Sequence, residues 1–357
     1  MSTGQMKDLQ DPRPDEVFDE AKLAAFLAGE LEGADQPMTV RQFTGGMANL
    51  TYLLSFGDTQ EYVLRRPPIG HYAPTAHDMS REYRVLSVLY PVFRFAPRIY
   101  LYVEDASVIG APFLIMERRK GLVVRRAMPP GFAAMPNAAR LLSEALVDVL
   151  VEFHSVDYDS IGLAGLGKPA GFIGRQVQGW YRRWNAAKLE DSSIVEELYS
   201  WLVANMPESP APTLVHNDYK LDNTIFALDD PSMMRALLDW DMCTLGDPLL
   251  DLATLLTYWT EPGDPEHLLQ LTPMPTGDYG FLTRKQIIAR YAERSGRDVG
   301  DIRFYQALAH FRWMVFMQQM HFRYVHGMTK DRRFKRLDET AALLALSALQ
   351  ASRGEFA

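Results

Sequence analysis

Two short polar runs set between apolar segments restrict this chain more than any other feature. The first is His216-Asn217-Asp218-Tyr219-Lys220-Leu221-Asp222-Asn223, and the second is Leu238-Asp239-Trp240-Asp241. The pattern predicts a loop, a short strand over 224–226, a turn at 229–232 and a second strand that ends at Asp239. We therefore expect Asp218, Asn223 and Asp239 to lie on two adjacent loop ends.

Carboxylate and amide oxygens at such positions suit a divalent cation, and a carboxylate can also take the proton of an attacking hydroxyl. The set therefore predicts Mg²⁺-dependent transfer of a phosphoryl group. The alternative is a solvated acidic loop between two strands, which any one of these residues alone would favour. The ordered set, with this spacing, favours the phosphoryl-transfer site.

The pattern His-x-Asp-x-Lys-x-x-Asn, from His216 to Asn223, resembles the catalytic loop of kinases. Leu238-Asp239-Trp240 is similar to the metal-binding motif of aminoglycoside phosphotransferase-like kinases. The resemblance implies a bilobal, protein-kinase-like α+β fold with a small β-rich N-lobe and a larger helical C-lobe. It also implies that ATP binds in the cleft between the lobes and that a small-molecule hydroxyl accepts the phosphoryl group.

The same resemblance implies a role for each polar residue of the two runs. Asp218 would be the catalytic carboxylate and Lys220 would reach the transferred phosphoryl group, while Asn223 and Asp239 would bind Mg²⁺. His216 would shape the loop. Residues 246–253 begin an apolar helix. Within this run, Asp251 would support the catalytic loop from behind, without contacting the substrates itself.

Upstream of these runs, three strand-like segments at 38–43, 51–56 and 62–66 are separated by turns. The first turn contains Gly45 and Gly46, whose backbone N–H groups can approach a phosphate closely because glycine has no side chain. Arg65 matches the position of the third-strand lysine of kinases, where an arginine is a departure; a register shifted to Arg66 stays open. A helix over 77–89 carries Glu82, which either pairs with that cation or is a solvated carboxylate.

The next two strand-like segments, at 98–103 and 112–118, lead into a crossover at 117–121. In kinase-like folds the crossover backbone meets the adenine edge, and here the resemblance places those contacts at Glu117 and Arg119. The runs at 65–68, 79–83 and 110–117 look more narrowly like the phosphotransferase domain associated with some acyl-CoA dehydrogenases, whose members phosphorylate hydroxyacyl-CoA species.

Composition limits the other classes of protein. The 357 residues are 47% hydrophobic and 23% charged, which is typical of a globular protein that folds as two lobes. A formal charge of −8 argues against a nucleic-acid binder, and Cys243 alone permits no intrachain disulfide. No leader and no membrane-spanning run is apparent, so we expect a cytoplasmic protein without a membrane partner.

The predicted organisation is an N-terminal nucleotide-binding lobe over 1–116, whose first 14 residues are a flexible arm, and a helical lobe over 122–357. Helical periodicity predicts the following segments: 15–31, 137–154, 171–188, 192–205, 284–294, 302–326 and 337–351. The helical lobe should supply the acceptor site.

The sequence leaves two questions open. A nucleotide-binding pseudokinase that senses or scaffolds without turnover is the rival function; Arg65 favours it, whereas the intact set of Asp218, Asn223 and Asp239 opposes it. The acceptor is the second question. The basic residues of the helical lobe could bind an anionic acceptor, or they could be scattered surface charge: Arg175, Arg182, Arg183, Arg312, Arg323 and the run 330–336.

Overall fold

The computed structural model describes residues 8–44, 49–68, 79–271, 274–278, 280–300, 302–329 and 331–355. The chain divides into two compact units. Unit one comprises Met1–Leu122 together with Thr224–Leu228 and Met234–Cys243. Unit two comprises Val123–Asn223, Asp229–Met233 and Thr244–Ala357. Asp239 therefore belongs to the same unit as Arg65 and Glu82, while the domain boundaries expected from the sequence stay predictions.

Unit one is built on a six-stranded antiparallel sheet with the strand order β1-β2-β3-β4-β6-β5. Its strands are β1 (Leu9–Gln10), β2 (Met38–Phe43), β3 (Leu50–Phe56), β4 (Gln60–Arg66), β5 (Ile99–Val103) and β6 (Phe113–Glu117). Tyr52, Leu54, Leu64, Phe113 and Ile115 lie in the apolar core of this unit. Tyr52, Phe113 and Ile115 are of the aromatic and β-branched types that favour strands, and the leucines add apolar surface to the same core.

Within the segment predicted to be a flexible arm, Leu9 and Gln10 pair with Phe43 and Gln42 at the edge of the sheet, whereas residues 1–7 lie outside the described residues. A two-residue strand carries too little hydrophobic alternation to be recognised in the sequence. The first helix, α1 (Glu20–Leu27), is also shorter than the predicted 15–31. It begins after Asp19, whose carboxylate accepts a hydrogen bond from the Lys22 N–H at 2.9 Å and so caps the helix.

Helix α2 (Met79–Leu89) packs on the same unit and buries Glu82 together with Met79, Val85, Leu86 and Leu89. These positions recur at intervals of three or four residues, which places the carboxylate on the apolar face of the helix. Two later segments of the chain complete unit one. Strands β8 (Thr224–Phe226) and β9 (Met234–Leu237) form an antiparallel pair, and Asp239 follows directly after it.

Unit two is mainly helical. Its helices are α3 (Pro130–Ala133), α4 (Ala138–His154), α5 (Phe172–Ala187), α6 (Ser193–Ala204), α7 (Pro248–Thr257), α8 (Glu266–Leu271), α9 (Arg284–Ser295), α10 (Ile302–Val325) and α11 (Leu337–Ser352). A short antiparallel pair, β7 (Thr213–Val215) and β10 (Thr244–Gly246), holds the segment that precedes His216. No helix in the described part of the chain is long and apolar enough to cross a membrane.

Candidate active site

The loop that follows β7 is held by one buried carboxylate. Asp251, on α7, is fully buried and accepts the N–H of His216 with one oxygen, at 2.5 Å, and the N–H of Asn217 with the other, at 2.7 Å. Two charge-assisted hydrogen bonds to successive main-chain groups fix the start of the loop strongly. Asp251 thus contacts the main chain of this loop, and its role in activity stays a prediction.

His154, at the end of α4, is the third partner of this carboxylate. Its Nε2 lies 3.3 Å from Asp251 Oδ2, and its Nδ1 lies 2.8 Å from the hydroxyl of Tyr291. Burial lowers the pKa of His154 despite the opposing effect of Asp251, so the neutral imidazole donates from Nε2 and accepts the tyrosine proton at Nδ1. The sequence gives no sign of this contact, because the two residues are 97 positions apart.

Asn217 adopts the left-handed conformation, with a φ of 66°, which asparagine tolerates better than most residues. Arg312, from the middle of α10, donates from Nη2 to the carbonyl oxygen of Asn217 at 3.4 Å and to its side-chain oxygen at 3.3 Å. The loop is therefore braced by an acidic residue on one helix and a basic residue on another.

Asp218 follows this braced turn and is contacted by both of the polar residues predicted to act with it. Its Oδ2 lies 2.9 Å from Lys220 Nζ and accepts a hydrogen bond from Asn223 Nδ2 at 2.8 Å. The same amide nitrogen also donates to the Asp218 carbonyl oxygen at 2.9 Å. In the described part of the chain, Asp218 Oδ1 accepts no hydrogen bond, and the Asp218 side chain is 21% exposed to solvent.

Lys220 stays a cation in this setting. Burial opposes the charge, but Tyr258, Asp218 and Asp222 outweigh it and raise the pKa of Lys220 well above its ordinary value. The ammonium also lies 4.9 Å from the centre of the Tyr258 ring, within the range of a cation–π contact. His216 is fully buried, and its Nδ1 accepts the Asp218 N–H at 3.3 Å, which is a loop-shaping contact.

In unit one, Arg65 lies between two carboxylates. Its Nη1 is 3.2 Å from Glu82 Oε1, and its Nη2 donates a short hydrogen bond to Asp239 Oδ1. Arg66 faces the other side of β4, where its Nη1 donates to the Ile109 carbonyl oxygen at 2.9 Å. The structure therefore brings Arg65, and not Arg66, to the acidic residues.

Burial changes the protonation of this group. Burial raises the pKa of Glu82 to about 7, although the positive charge of Arg65 opposes the change. Burial also acts against the charge of Arg65, but Asp239 and Glu82 outweigh it and raise the pKa of Arg65 above its ordinary value.

Asp239 has a φ of 72°, an unusual conformation for a residue other than glycine.

Sequence reasoning missed one further pair in unit one. Asn49 Nδ2 donates to Asp241 Oδ2 at 3.1 Å and so joins the end of the first turn to the segment that carries Asp239. Gly45 and Gly46, which were expected to approach a phosphate, lie outside the described residues. Their predicted role is therefore unchanged.

The residues predicted to meet adenine lie at the end of β6 and just beyond it. The Glu117 N–H donates to the Arg98 carbonyl oxygen at 2.8 Å and is thus already used within unit one. The Glu117 side chain pairs with Arg119 Nε at 2.9 Å. Among the described residues the Arg119 N–H has no acceptor, so it is the donor that an adenine ring could use. The contacts with adenine remain predictions.

A comparison with known proteins assigns the family. The sequence profile of the phosphotransferase enzyme family matches residues 39–280, which include Arg65, Asp218, Lys220, Asn223, Asp239 and Asp251 but not Arg312. The chain belongs to this family.

A curated relative in the family covers a longer chain. The human protein acyl-CoA dehydrogenase family member 11 is 31% identical over 366 residues, which cover 99% of this chain and 46% of the human protein. The chain thus spans about half the length of the curated relatives it matches. This similarity agrees with the resemblance found in the sequence to a dehydrogenase-associated phosphotransferase domain.

Solved structures identify the fold. A Ralstonia eutropha protein that has been proposed to be an aminoglycoside phosphotransferase matches with a TM-score of 0.78 and 29% identity, covering 95% of this chain and 99% of that one. Aminoglycoside 2′-phosphotransferase-IIIa, solved with GDP, matches with a TM-score of 0.62 and 14% identity, covering 92% and 98%. The predicted bilobal, kinase-like α+β fold is confirmed.

Proposed function

We propose that this phosphotransferase-family chain transfers the γ-phosphoryl group of ATP to a hydroxyl of a small molecule. The observation that carries the proposal is the state of the Asp218 carboxylate. Lys220 and Asn223 hold its Oδ2, whereas Oδ1 accepts no hydrogen bond within the described residues. A carboxylate fixed by one oxygen and open at the other suits a group that receives a proton from a bound hydroxyl.

In the proposed reaction, the acceptor O–H gives its proton to Asp218 Oδ1 while the acceptor oxygen forms a bond to the γ-phosphorus. The bond from that phosphorus to the bridging oxygen breaks, and a nucleoside diphosphate leaves. Lys220 places a positive charge near the transferred group. Because Asp251 and Arg312 fix the loop beforehand, the protein contributes mainly positioning and charge stabilisation.

The residues proposed to hold Mg²⁺ fit an oxygen-seeking cation. Asn223 directs its amide nitrogen twice toward Asp218, and its amide oxygen accepts no hydrogen bond from the described residues. Among those residues, no three His, Cys, Asp or Glu side chains gather into a ready metal cage. Mg²⁺ at nucleotide sites commonly takes one or two protein oxygens beside phosphate oxygens and water, where it neutralises phosphate charge. Asn223 and Asp239 would supply those oxygens.

The nucleotide is assigned to the residues of unit one. The planar guanidinium group of Arg65 carries several N–H donors, which suits it to bind phosphate oxygens. Its ion pair with Glu82 fixes its position. The fold neighbour solved with GDP supports a purine nucleotide as the donor. ATP is the donor we propose, and GTP is the one to compare with it.

For the acceptor we favour a hydroxyacyl-CoA-like alcohol over an aminoglycoside. The curated relatives are named for acyl-CoA dehydrogenases, which supports an acyl-linked alcohol, although the chain matches less than half of their length. The fold neighbours named for aminoglycosides keep that class in the test.

One observation favours the rival function, a nucleotide-binding pseudokinase. Arg65 occupies an oxygen of Asp239, the residue expected to bind metal. In a catalytic state Mg²⁺ would share the Asp239 carboxylate with this cation or displace it, whereas a sensor could keep the ion pair alone.

A phosphotransfer screen separates the two functions. The full chain is incubated with Mg²⁺ and either ATP or GTP labelled at the γ-phosphate, together with hydroxyacyl-CoAs, simple alcohols, sugars or aminoglycosides. The proposal expects label on one class of hydroxyl acceptor. Nucleotide binding without any labelled acceptor across the panel would support the pseudokinase instead.

A further inference from the structure

Two arginines share one tryptophan ring beside the catalytic loop. Trp180, on α5, is 8% exposed, and its Nε1 donates to Gln176 at 3.1 Å. The guanidinium carbon of Arg183 lies 4.5 Å from the centre of a Trp180 ring, and that of Arg312 lies 5.7 Å away. Both distances are within the range of cation–π interactions, which neutralise no charge. Trp180 therefore lies beside two cations, and the positive charge of Arg183 acts on Arg312.

Neither arginine is paired with an acidic residue in the described part of the chain. Arg183 is exposed and has no ion pair or hydrogen bond there. Arg312 is only 7% exposed, and its Nη2 reaches the two oxygens of Asn217, while its buried Nη1 has no hydrogen-bond partner. Buried cations are normally paired and fully hydrogen-bonded, because leaving water is costly for a charge.

The protonation of Arg312 reflects this environment. Burial, opposed by Asp251 and Asp218 and reinforced by Arg183, lowers the pKa of Arg312 to about 10. The group is still charged at neutral pH. A nearby anion would relieve both the loss of hydration and the repulsion between the two guanidinium groups.

The location of the pair points to the acceptor. Arg312 is bound to Asn217, the residue immediately before Asp218, so the pair adjoins the carboxylate that we propose receives the acceptor proton. An anion held there would belong to the molecule whose hydroxyl reaches Asp218, or to another part of the same molecule.

We propose that Trp180, Arg183 and Arg312 form a subsite that binds a negatively charged group of the acceptor, either a phosphate or a carboxylate. This inference rests on the proposed function, because it assumes that a hydroxyl acceptor binds near Asp218. The planar guanidinium groups suit either anion, since each can donate two parallel hydrogen bonds. The same two charges would repel a polycationic acceptor such as an aminoglycoside.

The chain offers a matched pair of variants. Arg183→Gln removes the exposed cation from the subsite, and Arg182→Gln removes the same charge from the neighbouring exposed position. Residues three apart on a helix share a face, whereas residues two apart do not, so Arg183 and not Arg182 lies beside Trp180. Neither change removes an ion pair or a hydrogen bond among the described residues, so both variants are expected to fold normally.

The direct test uses inorganic phosphate and acetate as probes, without turnover. Each probe is titrated into the full chain saturated with Mg²⁺ and a non-hydrolysable ATP analogue, against chloride at equal ionic strength. The ¹H–¹⁵N resonance of the Trp180 indole, assigned by its loss in Trp180→Phe, reports binding. We expect saturable shifts that Arg183→Gln weakens by about tenfold or more and Arg182→Gln by less than about twofold. The probe that binds more tightly identifies the phosphate or the carboxylate as the preferred group.

Equal weakening by the two variants, or no saturable shift with either probe, would overturn the subsite. The result does not depend on catalysis. If the probes bind through Arg183 but no acceptor is ever phosphorylated, the anion subsite stands and the proposed function fails. If an acceptor is phosphorylated, Arg183→Gln should raise the KM for anionic acceptors with little change in kcat, and should leave uncharged acceptors unaffected. A KM unchanged for every acceptor would contradict the subsite while the phosphotransferase activity stands.

Discussion

Arg65 Nη1 lies 3.2 Å from Glu82 Oε1, and both side chains are buried. The other arm of the same guanidinium reaches Asp239. One guanidinium group therefore connects β4, α2 and the segment that carries Asp239, the proposed metal ligand. This arrangement depends on arginine, because an ammonium group cannot reach two carboxylates in the same planar geometry.

Arg65→Lys should therefore weaken the binding of ATP during turnover, although the substitution keeps the positive charge. We expect the KM for ATP to rise by about tenfold, roughly the value of one lost charge-assisted hydrogen bond. Steady-state phosphotransfer at varied ATP concentration measures this. Arg41 lies on β2 and forms an exposed ion pair with Asp11. Arg41→Lys is therefore the matched control and should behave like the wild type. An unchanged KM in Arg65→Lys would remove Arg65 from the nucleotide site.

Glu82 should make the stability of the chain depend on pH in a defined direction. Its pKa is about 7 in the folded protein and 4.5 ordinarily, so between these values the folded state holds a proton that the unfolded state lacks. The free energy of unfolding contributed by Glu82 therefore falls as pH rises from about 4.5 to 7, by on the order of 3 kcal/mol. Urea denaturation of the wild type and of Glu82→Gln, at pH 5 to 8, measures the difference.

The advantage of the wild type over Glu82→Gln should thus shrink as pH rises through this window. A constant difference across the window would show that the Glu82 carboxyl has an ordinary pKa in the folded protein.

Asp251→Asn should destabilise the chain and the loop together. The asparagine amide can accept from one of the N–H groups of His216 and Asn217, but it presents its own N–H₂ group to the other. Leaving such buried partners unsatisfied costs about 3 kcal/mol. Urea denaturation should show this loss, and hydrogen exchange at His216 and Asn217 should accelerate.

Asp157→Asn is the matched control for Asp251→Asn. Asp157 also accepts two main-chain N–H groups, at 3.1 and 3.2 Å, but in an exposed turn. The control should change the free energy of unfolding by no more than about 0.5 kcal/mol. Equal losses in the two variants would contradict the bracing role of Asp251.

Much of this architecture follows from local patterns. Helical periodicity predicted α4, α5, α10 and α11 within a few residues of their observed ends, and the spacing from His216 to Asn223 predicted a loop whose polar side chains converge. The alternation of side chains along β4 does not decide whether Arg65 or Arg66 faces the acidic residues. The two-residue period of a strand places neighbouring side chains on opposite faces, but it does not show which face meets the site.

The features that sequence reasoning missed depend on contacts between distant residues. His154 meets Asp251 across 97 positions, and Leu9 pairs with Phe43 through a strand of two residues. Arg312 was one of several candidate cations, and only the packing of α10 shows that it reaches Asn217. No local pattern encodes such contacts, since they arise from the way whole elements pack.

Asp218→Asn is the decisive variant for the proposal that Asp218 is the carboxylate of a phosphoryl transfer. The measurement compares wild type and variant for transfer of labelled γ-phosphate to the acceptor found in the screen, and for ATP affinity by calorimetry. We predict that transfer falls by about 10²- to 10⁴-fold, the range for a positioned base, while the ATP dissociation constant changes by less than about twofold. Wild-type transfer by Asp218→Asn on that acceptor would contradict the claim.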